Sequence, residues 1–241
     1  MENGIFLYLV CHSKSTVFSN DAVRRALTHA INRDYLVDTF YRGFARGAEL
    51  PASPLSPFSD TSLAERYSYN SAKLTAAVEA AGLTGANITL LLNADDSLRL
   101  RAGRAIGDML TACGLTVTIN EVNSAQFTEQ VKWGKYDLYL GQTRLSANMD
   151  LTAFFAKNGT LNYGGLADTT AYALCLEALA NQANFYNLHK EVMDDGQLCP
   201  ILFRSYAVYA TRGLVTKLNP SRDNMFFYSI GRTLADAKLD A

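Results

Sequence analysis

Five stretches, NITLLLN (87–93), SLRLRAGRAIGDMLTACG (97–114), LTVTINEV (115–122), SAQFTEQVKWG (124–134) and YDLYL (136–140), follow one another with almost no chain between them. In the first, Ile88, Leu90 and Leu92 alternate with Thr89, Leu91 and Asn93, the two-residue period of a strand. In the second, Leu98, Ala102, Ala105, Ile106, Met109, Leu110 and Cys113 share the face of a helix that Ser97 is expected to cap and Gly114 to end. Val117 and Ile119 mark a second strand. Phe127, Val131 and Trp133 mark a second helix begun by Ser124 and ended by Gly134, with Trp133 read as core at its end. Tyr136 to Leu140 is a third strand. Strand, helix, strand, helix, strand with short joints builds parallel crossovers. The expected fold is α/β, a parallel or mixed sheet flanked by helices. Ligands in such sheets sit beyond the carboxyl ends of the strands, which directs attention to the loop expected after Leu140.

Toward the N-terminus, Asn70 caps a helix through Leu74, Val78 and Ala81, stopped by Gly82. The segment Glu49–Ser62 carries Pro51, Pro54 and Pro57 and reads as an extended loop. Arg33 to Tyr41 is a short helix ended by Gly43. Ahead of it, Val23, Ala26, Leu27, Ala30 and Ile31 form one apolar helical face after a Ser19 cap. Ile5 to Cys11 is a buried strand. Toward the C-terminus come a short helix (Asp150–Ala156), a Gly-rich loop (Asn158–Leu166), and a helical pair (Thr169–Gln182, Phe185–Asp194). Strands are expected at Pro200–Phe203 and Tyr206–Ala210, and periodicity fades after Gly213.

The 241 residues hold 22 basic against 23 acidic side chains, so nothing offsets a phosphate backbone and nucleic acid is a poor partner. No apolar run approaches the ~18 residues of a spanning helix, and Ile5–Cys11 lacks the flanks of a signal peptide. Cys11, Cys113, Cys175 and Cys199 are widely and irregularly spaced, without C-x-x-C, and read as small buried hydrophobes. His12, His29 and His189 are too scattered for a metal box; His29 reads as a surface or core-edge residue. The adjacent pair Asp95–Asp96 suits a helix start better than a metal. Nucleophile-elbow, Walker and dinucleotide-binding motifs are absent. Gly103 and Gly107 inside a helix point to close packing, and Arg24 to a structural pairing with Asp21 three residues earlier. No cofactor or metal is expected.

The order of features resembles the family 5 bacterial extracellular solute-binding proteins, of oligopeptide-, dipeptide- and nickel-binding type. The resemblance rests on Phe18-Ser19-Asn20-Asp21-Ala22-Val23-Arg24-Arg25-Ala26-Leu27 and Ala30-Ile31-Asn32-Arg33. Gly43, the Pro51–Pro57 loop, Ala81-Gly82, Gly114-Leu115 and Gly134-Lys135-Tyr136-Asp137-Leu138 follow in the family's order. It implies the second lobe of a two-lobed receptor over residues 1–204, with 205–241 crossing toward a first lobe that this chain lacks. It implies no enzyme activity, noncovalent capture of a peptide or small solute between lobes, and delivery to an ABC permease. It implies an extracytoplasmic, lipid-anchored protein in a periplasm or at a cell surface. The ligand loop implied is Gly141–Asp150, with Gln142, Thr143, Arg144, Leu145, Ser146, Asn148 and Asp150 as contacts and Gln126 and Tyr163 as lesser candidates. Gln142 stands where Trp is common, Leu145 where a carboxylate would hold a peptide's amino terminus, and Asn148-Met149 where Asp-Pro is usual; Arg144 is then free to meet an anion. Two other readings keep the fold: a sensor or adhesion lobe, and an enzyme that would need titratable groups to converge with Asp150 and Arg144.

Overall fold

The computed structural model describes residues 2–205 and two short segments beyond them, Val215–Lys217 and Gly231–Arg232. The strand expected at Tyr206–Ala210 and most of the 205–241 crossover lie outside the described residues. The elements are β1 (Glu2–Cys11), α1 (Asp21–Ala30), α2 (Arg33–Leu36, continued by a π-turn over Val37–Tyr41), β2 (Ala45–Gly47) and α3 (Thr61–Glu65). Then come α4 (Ser71–Ala80), β3 (Asn87–Asn93), α5 (Ser97–Ala112), β4 (Thr116–Val122), α6 (Ser124–Trp133) and β5 (Leu138–Arg144). The chain continues with α7 (Thr152–Phe155), α8 (Thr169–Ala180), α9 (Phe185–Asp195) and β6 (Leu198–Ser205).

One six-stranded sheet, ordered β2-β6-β1-β5-β3-β4, carries the molecule. β3 pairs in parallel with β4 and β5, as the alternating pattern predicts. β1 lies antiparallel between β5 and β6, so the sheet is mixed, and β6 runs in the same direction as β3, β4 and β5. One face buries Leu7, Leu9, Leu90, Leu92 and Leu140 under α1, α4 and α5. The other buries Phe6, Tyr8, Leu91, Tyr139 and Phe203 under α6, α8 and α9.

Local chemistry explains the boundaries. The caps of α1 and α5 are Asn20 and Asp96, not the neighbouring serines, because each of these side chains accepts a backbone N–H of the first turn, while Ser124 begins α6 as expected, with Asn123 as its cap. Asn70 holds the cap position of α4 without a side-chain bond. Gly134 ends α6 in the left-handed conformation, φ 64°. Trp133, expected in the core, is 72% exposed. Val131 is the buried residue of that helix, and two positions on a helix are about 200° apart, which turns the indole outward. The Cβ that an alanine would add at Gly103 lies 2.5 Å from the Leu92 side chain, so α5 sits close against the sheet as its glycine suggests. All four cysteines are buried and free. Arg24 pairs with Asp21 at 2.9 Å and also donates to the Asp195 carbonyl, joining the start of α1 to the end of α9. His29 is buried at the edge of the core, 2.8 Å from the Ser68 carbonyl through Nδ1.

Asp137, next to Tyr136 at the head of β5, ties three segments. Its carboxylate accepts from Ser15 Oγ at 2.7 Å and from Thr89 N–H at 2.8 Å, while its own N–H donates to the Thr89 carbonyl. Asp137→Ala strands the Thr89 N–H and the Ser15 hydroxyl. It should lower the unfolding free energy by about 2 kcal/mol, read as a shift in urea midpoint at unchanged slope.

Candidate functional site

The carboxyl ends of β3, β4, β5 and β6 share one edge of the sheet, where α5 and α6 begin. That edge is tied together by polar side chains. Asn93 Oδ1 accepts from Asp95 N–H at 2.8 Å, Asn93 Nδ2 donates to Ser124 Oγ at 3.0 Å, and Asp95 accepts from Ser124 N–H at 2.8 Å. The bonds from Ser124 hold the Asp95 carboxyl below its ordinary pKa. Asp96 caps α5 and also meets the Arg204 guanidinium at 3.5 Å, which in turn reaches Gln142 Oε1 at 3.4 Å and lies over the Tyr41 ring.

Arg99 sits one turn into α5 and is buried. Its guanidinium carbon is 5.6 Å from the centroid of Phe127, a cation–π distance. Burial draws its pKa down from the ordinary arginine value and the charge of Asp96 opposes this, yet a guanidinium remains protonated. Its Nε has no hydrogen-bond partner among the described residues. Arg99 and Gln142 open onto a cavity of about 180 Å³ whose aromatic wall is Tyr8, Phe127, Tyr139 and Tyr163. Gly141 makes this wall possible: a Cβ there would lie 2.5 Å from the Tyr8 ring and 2.8 Å from that of Tyr139. Burial raises the Tyr8 and Tyr139 hydroxyls well above the usual tyrosine range and pushes Tyr41 up to about 12, so all three are neutral at physiological pH. A larger hollow of about 520 Å³ lies between Phe155 and Tyr172, but its Asp168 is already committed to capping α8.

The expected ligand loop divides in two. Gly141 to Arg144 is strand, not loop: β5 runs four residues past Leu140 because Ile5 to Tyr8 of β1 pair with these residues. Gln142 reaches the cavity, as does Tyr163, which is half-buried. Thr143 points to the sheet face opposite Gln142, opposite Phe6 in register, and Arg144 is exposed. Leu145 is buried at 4% exposure. Ser146 and Asn148 bond to each other, Ser146 also receives the Asp150 N–H, and Asp150 accepts from Thr152 N–H, so these side chains shape their own loop. Gln126 is exposed in the first turn of α6. The cavity residues that sequence reasoning passed over are Arg99, Tyr8, Phe127 and Tyr139. One signal was readable: Arg99 falls in phase with Ala102 and Ile106 on the buried stripe of α5, where a charge calls for a reason.

The match that decides the family covers residues 2–163: bacterial extracellular solute-binding proteins, family 5, middle region. The chain belongs to this family. No curated protein sequence matches it. Among solved structures, this family 5 chain is similar to HbpA2 from Haemophilus parasuis, with a TM-score of 0.84 and 18% identity, over 97% of this chain and 49% of that one. It is similar to NikA from Brucella suis in complex with Fe(III)-EDTA, with a TM-score of 0.77 and 16% identity, over 95% and 51%. It is similar to the oligopeptide-binding protein AppA from Bacillus subtilis in complex with a nonapeptide, with a TM-score of 0.73 and 20% identity, over 85% and 45%. The chain thus spans about half the length of these structures, and the α/β sheet expected from its sequence is theirs.

Proposed function

We propose that the chain is the ligand-binding second lobe of an extracytoplasmic solute receptor that serves an ABC permease. Residues 1–204 form the lobe, and 205–241 cross toward a first lobe. The observation that carries this reading is the cavity at the carboxyl edge of the sheet. A family 5 chain half as long as its structural neighbours has one aromatic-walled hollow there, with a buried donor and an amide at its mouth. Half of an enclosing site suits capture by closure of two lobes over a solute. AppA holds a nonapeptide and NikA an Fe(III)-EDTA complex, so the same scaffold accommodates a peptide or another small solute. The reading is noncatalytic, in keeping with a family of binding proteins.

Native mass spectrometry of the natural full-length protein, purified gently, tests it. A co-purifying small solute on that protein, and much weaker retention by this lobe alone, is the expected result. Absence of any retained solute, even after soaking in peptide pools, would sink the transport reading in favour of a sensor or adhesion lobe.

A further inference from the structure

We propose that the cavity at the strand ends recognises an anionic group, a carboxylate carried on a flat apolar body, and that Arg99 is the residue that selects it. The proposal rests on the receptor reading above and adds the charge of the ligand to it.

The first observation is an unmet donor. Arg99 is 9% exposed, yet its Nε–H finds no acceptor among the described residues. The Phe127 ring holds the guanidinium but supplies no oxygen. Buried polar groups are normally bonded, so a buried guanidinium with a vacant donor, on the wall of a cavity, is arranged for an acceptor that arrives with the ligand. A carboxylate suits a guanidinium because two oxygens match two parallel N–H groups.

The second observation is charge. Among the described residues, Arg99 is the one ionised side chain on the cavity wall, and none there is a carboxylate. Asp96, the acid whose charge acts on Arg99, is already the cap of α5 and the partner of Arg204. Arg204 and Arg99 both act on the Asp96 carboxylate, while Asp95 turns its own to the Ser124 N–H. An ammonium would meet repulsion here.

The third observation is shape. Tyr8, Phe127 and Tyr139 stand edge to face around Gly141, with Tyr139 at 6.1 Å from Phe127 and 6.2 Å from Tyr8. Val131 and Leu161 add apolar surface to these rings, and Thr128 and Thr160 add two hydroxyls beside them. Such a slot fits a ring better than a hydrated polar chain.

A matched pair of probes separates charge from shape: 4-hydroxyphenylacetate and tyramine carry the same ring and opposite charges. With the natural full-length protein freed of its own ligand, calorimetry should give at least tenfold tighter binding of the acid. The Arg99 Nε–H resonance, assigned by its loss in Arg99→Gln, should move downfield with the acid and not with tyramine. Arg99→Gln should weaken the acid about tenfold, and Arg99→Lys less. Tyramine binding as tightly as the acid, an unmoved Arg99 resonance, or failure of both probes would overturn the proposal. The wild-type comparison needs no variant, so a misfolded Arg99→Gln would not blunt the test. If native mass spectrometry finds a neutral or cationic solute whose affinity Arg99→Gln leaves unchanged, the receptor reading survives and the anion proposal falls. If nothing is retained, the receptor reading falls itself.

Discussion

Arg33→Met is expected to lower the unfolding free energy by about 3–5 kcal/mol. Arg33 is 3% exposed and is bound by oxygens rather than by a carboxylate. Its Nε donates to the Ala48 carbonyl at 2.9 Å and its Nη2 to the Pro200 carbonyl at 2.8 Å. Nη1 donates to the Thr28 carbonyl at 3.1 Å, and Nη2 also reaches Thr28 Oγ1 at 2.8 Å. One side chain thereby joins the end of α1, the segment after β2 and the middle of β6, and its stem packs on Gly47, where a Cβ would come within 2.9 Å. Methionine fills the stem volume but strands at least three buried carbonyls. Arg33→Lys should recover less than half of the loss, since an ammonium is a point donor and cannot span acceptors set apart by a planar fork. Urea unfolding of the three proteins measures this; a loss for Arg33→Met below about 1 kcal/mol would mean that water replaces the guanidinium. The Asn32-Arg33 step of the family signature thus has a structural job: Asn32 caps α2 and Arg33 joins three segments behind it.

The second large effect is acid sensitivity from His189. This ring is fully buried beside Phe185, with neither nitrogen bonded to any described residue, and burial lowers its pKa to about 4. Above pH 6.5, the imidazole is neutral in both the folded and the unfolded chain and contributes no pH dependence. Below that value the unfolded chain takes up a proton that the folded chain refuses. Stability is therefore lost as pH falls from 6.5 toward 4, by at most ~3 kcal/mol from this residue. His189→Leu should remove that part of the slope and, by deleting two unpaired nitrogens, raise stability at neutral pH by about 1 kcal/mol. Parallel pH–stability curves for the variant and the parent would refute the assignment.

How much of this was legible depends on the range of the interactions. The β3-to-β5 region was readable because each periodicity there is local: Ile88, Leu90 and Leu92 alternate, and Ala102, Ile106 and Leu110 recur on one helical face. Two cap positions slipped by one residue because Asn20 and Asp96 stand beside serines of equal promise, and only geometry chooses between them. Gly141 to Arg144 read as loop because Gly and Gln carry no strand signal and Thr143 alone, though β-branched, makes no alternating pattern. Their partners lie about 135 residues earlier in β1, and only the fold discloses that pairing. Of the proposed ligand contacts, Gln142 and Tyr163 share the cavity wall with Arg99, a residue the helical pattern placed on the buried stripe but sequence reasoning left without a role. Trp133 shows the opposite error, an aromatic residue assigned to the core although its spacing from Val131 turns it outward.

Hydrogen exchange on the natural full-length protein, with and without its own co-purified solute, tests the central claim most directly. The account predicts that solute slows exchange at the carboxyl edge of the sheet: residues 95–99, 124–128, 141–144 and 160–163. Protection centred instead on the hollow between Phe155 and Tyr172, or no protection anywhere in this lobe, would contradict it.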